Sequence, residues 1–362
     1  MDKQIPQKER RHDIDWLRVI AIAMLLIYHI ALIFQPWGKY IGFIQSEESS
    51  DAIWIPMAML NVWRIPLLFF VSGMGVCFSL RNRDWKQLLS ERARRILLPL
   101  VFGSFFIVPI HHFIFQKYYG GELAYEPSVG HLWFLLNICI YVTQVIGFAF
   151  LDQKYEYKFY NYLRSALKYP YIIYLFFIPF IIEAHFIDPQ YFSLYVGTTH
   201  GFILGMLAFS VGFQFIAIGE AFWNAAEKMK FLSLAIAVVL YFVRIFYFEF
   251  AAPNYLASIE SMSWIFALLG LGYAYLNKPS KLLSYLSQSA YPVYIIHMIF
   301  LYAAAYLILP MGYSLGINFI LINVFTFVSC FVVYDLIIKR IGFLRPLFGL
   351  KGKPKPVLEK VM

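Results

Sequence analysis

The stretch RHDIDWLRVIAIAMLLIYHIALIFQ, residues 11–35, decides how the chain is read. From Trp16 onward it runs for about twenty mostly apolar residues, roughly 30 Å of helix at 1.5 Å per residue, enough to cross a bilayer. Yet Asp15 and Arg18 stand at its start and His29 lies well inside it, past the middle of the span. Eleven helical steps of about 100° bring His29 to within about 20° of Arg18 around the axis, some 16 Å further along. Asp15 falls one turn before Arg18 on nearly the same face. A spanning helix therefore presents an acid, a guanidinium and an imidazole in one line. Ionisable groups at membrane depth are costly and mark pathways or sites, so His29 is expected to be functional.

Working outward, the composition agrees with a membrane setting. The 362 residues are 61% hydrophobic and 14% charged, with 37 Phe and 27 Tyr, against roughly 45–50% apolar and 25% charged in soluble domains. The expected fold class is an all-α polytopic membrane protein. Ten spans are expected, at about 16–35, 55–80, 96–116, 131–151, 170–187, 198–219, 231–251, 256–276, 290–310 and 317–338. Pro179 is expected to kink the short fifth span. Residues 1–15 would precede this 16–338 membrane domain, and residues 339–362 would form a basic tail. No internal repeat or appended soluble domain is visible, and no cleavable signal peptide is expected.

Charge sets the orientation. Of 30 Lys and Arg, 26 fall in the two ends and alternate connections. The positive-inside rule places those segments, and both termini, in the cytoplasm. The net charge of +9 is thereby explained without nucleic acid. The tail after Arg345, with KGKPKP, reads as solvated and able to touch anionic lipid. Cys77, Cys139 and Cys330 lie in apolar segments without CxxC spacing, so neither a metal site nor a disulfide framework is expected.

Polar groups then sort by depth. Arg64, His111, His112, His131, Glu183, His185, His200, Arg244, Glu249 and Glu260 gather in the outer halves of the spans, with Arg18 and Arg92–Arg95 at the inner ends. That distribution suggests a cavity open outwards. His111, His185 and His200, close to span ends, read more simply as interfacial. Glu249 could neutralise Arg244, five residues earlier. His297 is equally consistent with packing and with function. Arg92 and Arg95 fit either a topology signal or a phosphate site.

Five stretches carry a family resemblance. Asp15-Trp16-Leu17-Arg18 followed after ten residues by Tyr28-His29, FFVSG (69–73), RARRILLP (92–99), HLWFL (131–135) and SQSAYPVYIIH (287–297) occur in order. Together they resemble the membrane-bound acyltransferase 3 family, with HLWFL closest to its glucan-modifying, short members. The resemblance implies transfer of an acyl group of acetyl or succinyl type from cytoplasmic acyl-CoA to a hydroxyl of an extracytoplasmic glycan, at the plasma (inner) membrane. No metal is implied. The residue chemistry agrees, because imidazole titrates near neutrality and suits general-base work on an alcohol. In this reading His29 is the base, with a covalent acyl-His29 as an alternative. Asp15 and Arg18 hold the donor's pantetheine–phosphate arm, Arg92 and Arg95 grip the CoA phosphates with Arg94 contributing, and Arg64 contacts the oxyanion or the acceptor. His131, Trp133, Arg244 and Glu249 are the expected acceptor contacts. A secondary transporter would also need intramembrane charge and Pro-broken spans. A membrane sensor or scaffold would leave His29 unexplained.

Overall fold

The computed structural model describes residues 10–81, 83–154 and 158–352. Lys3, Lys8 and the end of the basic tail from 353 onward lie outside the described residues. Among those described there is no strand, and ten helices are long and apolar enough to cross a membrane. These are α1 (His12–Leu32), α2 (Asp51–Leu80), α3 (Trp85–Tyr118), α4 (Gly130–Gly147) and α5 (Pro170–Ile187). They continue with α6 (Thr199–Ile218), α7 (Glu220–Phe246), α8 (Asn254–Tyr275), α9 (Lys281–Met311) and α10 (Leu315–Ile338). The number and order agree with the sequence reading, but several bounds move. α1 begins at His12 rather than Trp16 and ends at Leu32, which puts His29 in its last turn rather than near its middle. α7 starts at Glu220 and stops at Phe246, so Glu249 falls beyond it.

α3 starts early because Asp84 caps it. The Asp84 carboxylate accepts from the backbone N–H of Gln87 at 2.8 Å, and the Gln87 side chain accepts from the Asp84 N–H, a reciprocal capping box. Arg92–Arg95 are helical, as their i,i+3 spacing suggests, but lie within α3 itself rather than on a segment before the span. The same helix contains two π turns, Ala93–Leu97 and Gly103–Ile107. Each closes on the residue just before a proline: Leu98 N–H donates to Ala93 O ahead of Pro99, and Val108 N–H to Gly103 O ahead of Pro109. A helical proline lacks its N–H and crowds the carbonyl four residues back, and a widened turn relieves that crowding. The carbonyl that Pro109 cannot satisfy, Phe105 O, accepts instead from the Tyr125 hydroxyl at 2.8 Å. In α5 the helix type changes from 3₁₀ to α at Ile178, immediately before Pro179.

The chain divides into two compact units. The first contains 1–22, 62–77 and 149–287. Its core is aromatic: Phe70, Phe180, Phe215, Phe222 and Phe266 are fully buried. Phe215 and Phe222 stack 3.7 Å apart, and Phe70 lies parallel to Phe215 at 5.6 Å. α2 and α6 approach through glycine. A Cβ on Gly73 would stand 1.9 Å from Phe209 O, and one on Gly212 would stand 2.1 Å from Phe70 O. Small residues permit such approaches between membrane helices, and this is the physical reason FFVSG ends in glycine. Gly73→Ala is expected to destabilise the protein by about 1–3 kcal/mol through overpacking against backbone. The measurement is the fraction remaining monodisperse after heating in detergent.

The second unit contains 23–61, 78–148 and 288–362. After α1 the chain folds back along the helix end, with Ser46 N–H donating to Ile33 O at 2.8 Å and Ser50 N–H to Phe34 O at 3.2 Å. This places buried Phe43 5.9 Å from the His29 ring. The beginning of the tail is folded as well, contrary to the solvated reading. Leu344–Leu347 forms a helical turn and Phe348 is buried against Phe102, 5.5 Å between rings. Arg345 holds the strand of chain around it, donating to Lys351 O and Lys339 O.

Candidate active site

His29, from the last turn of α1, meets His297 of α9 inside the second unit. His29 Nδ1 lies 2.9 Å from His297 Nε2, with the rings 9° from parallel. His297 is fully buried at 0% exposure, whereas His29 is only partly buried. His297 Nδ1 donates to Tyr294 O at 2.6 Å, three residues earlier on α9. His131, in the 3₁₀ turn that opens α4, stands perpendicular to His297 with ring centroids 5.1 Å apart. Its Nε2 donates to Ile295 O at 3.0 Å, and its own carbonyl accepts from the Tyr294 hydroxyl at 2.6 Å. The remaining nitrogen, His131 Nδ1, is buried with no hydrogen-bond partner among the described residues. His111 and His112 extend the group from α3, with His111 5.6 Å from His131 and 5.0 Å from Tyr302. Trp133 starts the α-helical part of α4, half-buried. A cluster of histidines thus forms from α1, α3, α4 and α9. His111, expected to be interfacial, is buried at 3% exposure within it.

The basic motif lies on α3 in the same unit. Arg92 donates to the Ser79 hydroxyl at 2.8 Å. Glu91 bridges Arg83 and Arg95, lying 3.2 Å from the latter. Arg94 is exposed. The π turn over 93–97 sits within this motif, and π bulges recur at functional positions. In the first unit Asp15 accepts from Arg18 at 2.9 Å, as the spacing on α1 requires. It also accepts twice from Arg10, at 2.9 and 2.7 Å, a residue that had counted only towards topology. Beside them Arg11 pairs with fully buried Asp13 and lies over the Trp223 ring at 3.7 Å.

The remaining candidates belong to the first unit. Arg64 is buried in α2 at 3% exposure. Arg244 is also buried, but its acid is Glu260 of α8: Nε donates at 2.6 Å and Nη2 at 2.9 Å to the two carboxylate oxygens. Glu249 does not neutralise it. Five residues along a helix is about 140° around the axis, and α7 has already ended. Glu249 occupies an exposed left-handed turn, φ 47°, set by Phe250 N–H returning to Arg244 O. His200 is likewise not interfacial. It is 1% exposed, accepts or donates at 2.8 Å with Glu183, and bonds Phe192 O through its other nitrogen. His185, in contrast, is exposed and helps line a cavity of about 540 Å³ with Asp188, Tyr191, Arg244, Asn254 and Tyr255. Asn254 clasps one wall, donating to Asp188 at 2.9 Å and Pro189 O at 2.8 Å.

Sequence reasoning undervalued His297 and did not pair it with His29. The available signal was Tyr294 and His297 at i,i+3 on an otherwise apolar span, which puts both on one face. Glu260 was visible only as a charge at the start of a span.

Comparison with known proteins gives a consistent picture. The profile described as an acyltransferase domain matches residues 11–338. The chain is 22% identical to glucans biosynthesis protein C of Salmonella schwarzengrund (strain CVM19633), covering 97% of each chain. The same identity and coverage hold for the proteins of that name from Salmonella heidelberg (strain SL476) and Salmonella typhi. No solved structure matches the chain.

Proposed function

The chain belongs to the acyltransferase 3 family, and from that premise we propose that it moves an acyl group of acetyl or succinyl type from acyl-CoA to a hydroxyl of an extracytoplasmic carbohydrate. The observation that carries this reading is the partly exposed His29 imidazole, held from behind by the fully buried His297. An imidazole positioned in this way serves as general base. It takes the proton of the acceptor hydroxyl as the oxygen attacks the thioester carbonyl. The C–O bond of the new ester forms, the C–S bond breaks, and the leaving thiolate recovers the proton from His29. The carbohydrate as acceptor is supported by the relatives named for glucan biosynthesis, at 22% identity over nearly the whole chain. Family membership favours group transfer over the secondary transporter.

On the donor side, Arg92, Arg95 and exposed Arg94 supply cations for the CoA phosphates, the bidentate chemistry for which guanidinium is suited. The orientation that puts this motif in the cytoplasm with both termini is the one the positive-inside rule favours, in an inner-membrane, multi-pass setting. Asp15 and Arg18 remain our candidates for the pantetheine–phosphate arm, and Arg64 for the oxyanion or acceptor. For the acceptor hydroxyl we retain His131, half-buried in the turn that opens α4, with Trp133 two residues on. Arg244 is assigned a structural pairing first, and Glu249 no role.

The test uses purified protein in nanodiscs titrated with acetyl-CoA and succinyl-CoA. Wild type is expected to bind one of them. Arg95→Ala is expected to weaken that binding about tenfold, the loss of one charge-assisted contact, with turnover at saturating donor retained. Failure of wild type to bind either acyl-CoA removes the donor assignment. Cysteine labelling at position 92 from the outer face alone would reverse the orientation.

A further inference from the structure

The cavity of about 540 Å³ in the first unit lies where two connections meet, 188–198 between α5 and α6 and 247–253 between α7 and α8. Its size is within the roughly 300–1,000 Å³ of ordinary small-molecule sites. Neither connection contains a Lys or Arg, so the positive-inside rule favours the outer face for both.

The backbone around the cavity is held in a shape that most sequences avoid. Among the described residues three non-glycine positions have positive φ: Asp188 at 42°, Glu249 at 47° and Phe250 at 71°. All three belong to these two connections, and Asp188 and Phe250 line the cavity. An aspartate tolerates the left-handed region through local hydrogen bonding, whereas a phenylalanine there is an outlier. Strain of this kind persists only where surrounding bonds over-determine it, and it gathers at ligand sites. Those bonds are present: Phe250 N–H donates to Arg244 O at 2.9 Å and Ala251 N–H to Phe248 O at 2.8 Å. Asn254, the first residue of α8, ties one connection to the other through Asp188 and Pro189 O. An interfacial belt of aromatic residues would need neither the strain nor the clasp.

The wall chemistry selects the ligand. Tyr191, Tyr255 and Phe250 are 63%, 43% and 42% exposed, so their rings have open surface for the C–H face of a pyranose. Asp188, Gln190 and Asn254 add a planar carboxylate and two planar amides, suited to pairs of neighbouring hydroxyls. Arg244 also lines the cavity, but its charge is already matched by Glu260. Asp188 adds negative charge, so an anion is disfavoured, and an acyl chain would leave the carboxylate and amides unpaired. We propose that this cavity binds a neutral oligosaccharide, which stacks on Tyr191 and Tyr255 and hydrogen-bonds to Asp188, Gln190 and Asn254. The choice of glucose as its repeating unit rests on the acyl-transfer reading, which the site deepens by naming residues that hold the carbohydrate.

The experiment titrates cellohexaose, laminarihexaose and maltohexaose by calorimetry into full-length protein in nanodiscs, with acyl-CoA binding and thioester turnover followed in the same samples. Wild type is expected to bind at least one hexaose. Tyr191→Ala with Tyr255→Ala is expected to weaken that binding about tenfold or more, the loss of two stacking contacts, with acyl-CoA binding unchanged. Ser193→Cys carrying a bulky maleimide adduct fills the cavity without removing a ring. It is expected to block the hexaose, while the unlabelled variant and maleimide-treated wild type bind as before. Failure of wild type to bind any hexaose overturns the proposal, as does undiminished binding in the labelled Ser193→Cys protein. Displacement of the hexaose by millimolar inorganic phosphate would reveal an anion site and overturn it too. The two readings fail separately. Absent hexaose binding with donor turnover intact removes this site alone. Hexaose binding that the adduct blocks, in a protein that binds no acyl-CoA, removes the acyl-transfer reading and leaves the carbohydrate site standing.

Discussion

His29→Ala is expected to lower acyl transfer by roughly 10²–10⁴-fold, the range for removing a positioned general base, while leaving acyl-CoA binding unchanged. The two effects separate because His29 lies at the far end of α1 from Arg18, about 16 Å along the helix, and meets His297 and Phe43 rather than the Arg92–Arg95 motif. Direct titration of donor binding beside a turnover assay checks both. His29 is partly exposed, so truncation leaves a space that water can occupy, and the protein is expected to remain monodisperse in detergent. Full turnover in His29→Ala would remove the residue from proton transfer and, with it, the mechanism. Loss of donor binding instead would place His29 on the thioester side.

The second large effect concerns stability. Arg244 and Glu260 are 6% and 1% exposed and joined by two hydrogen bonds. Arg244→Ala or Glu260→Ala strands a buried charge and is expected to cost about 3–5 kcal/mol. Replacing both together, Arg244→Met with Glu260→Leu, removes the charges in one step and is expected to restore most of the lost stability, since apolar residues of similar volume often replace a buried ion pair at little cost. The measurement is heat-induced loss of monodisperse protein for wild type and the three variants. Two single variants no worse than the double would show the pair to be solvated. The double variant also separates roles: a stable protein that still transfers to its acceptor leaves Arg244 a packing function alone.

These two sites also show what the sequence made legible. The ten helices were readable because each is a long apolar run, and His29 because nothing in such a run excuses an imidazole. The pairings were not readable. Arg244 had Glu249 close by in sequence, and the true partner, Glu260, lies across a turn whose position depends on where α7 ends. That end is set by backbone hydrogen bonds at Phe248–Ala251, which leave no mark on composition. His200 and His111 were placed at the interface by their distance from span ends, but depth along a helix says nothing about which side faces the interior. Glu183 and Tyr302 supply that side. The resemblance drawn from five short motifs did identify the family, and the structure gives two of them a physical cause: the glycine of FFVSG admits a neighbouring backbone, and the histidine of SQSAYPVYIIH backs His29.

The two π turns of α3 carry a consequence for rotational phase. A π turn houses one residue more than an α turn of nearly the same rise. Each therefore adds about 100° of angular offset between the residues before it and those after it. Arg92 precedes both turns and His111 follows both. A helical wheel drawn through residues 92–111 at 3.6 residues per turn thus assigns them the wrong relative azimuth. Deleting one residue within 93–97 would turn that π turn into an α turn of nearly the same rise and leave Arg92 and His111 in nearly their present relative azimuth, whereas deleting one from the α-helical stretch between the two π turns would swing them apart by about 100°. The length of α3 tolerates either change, whereas its phase tolerates only the first.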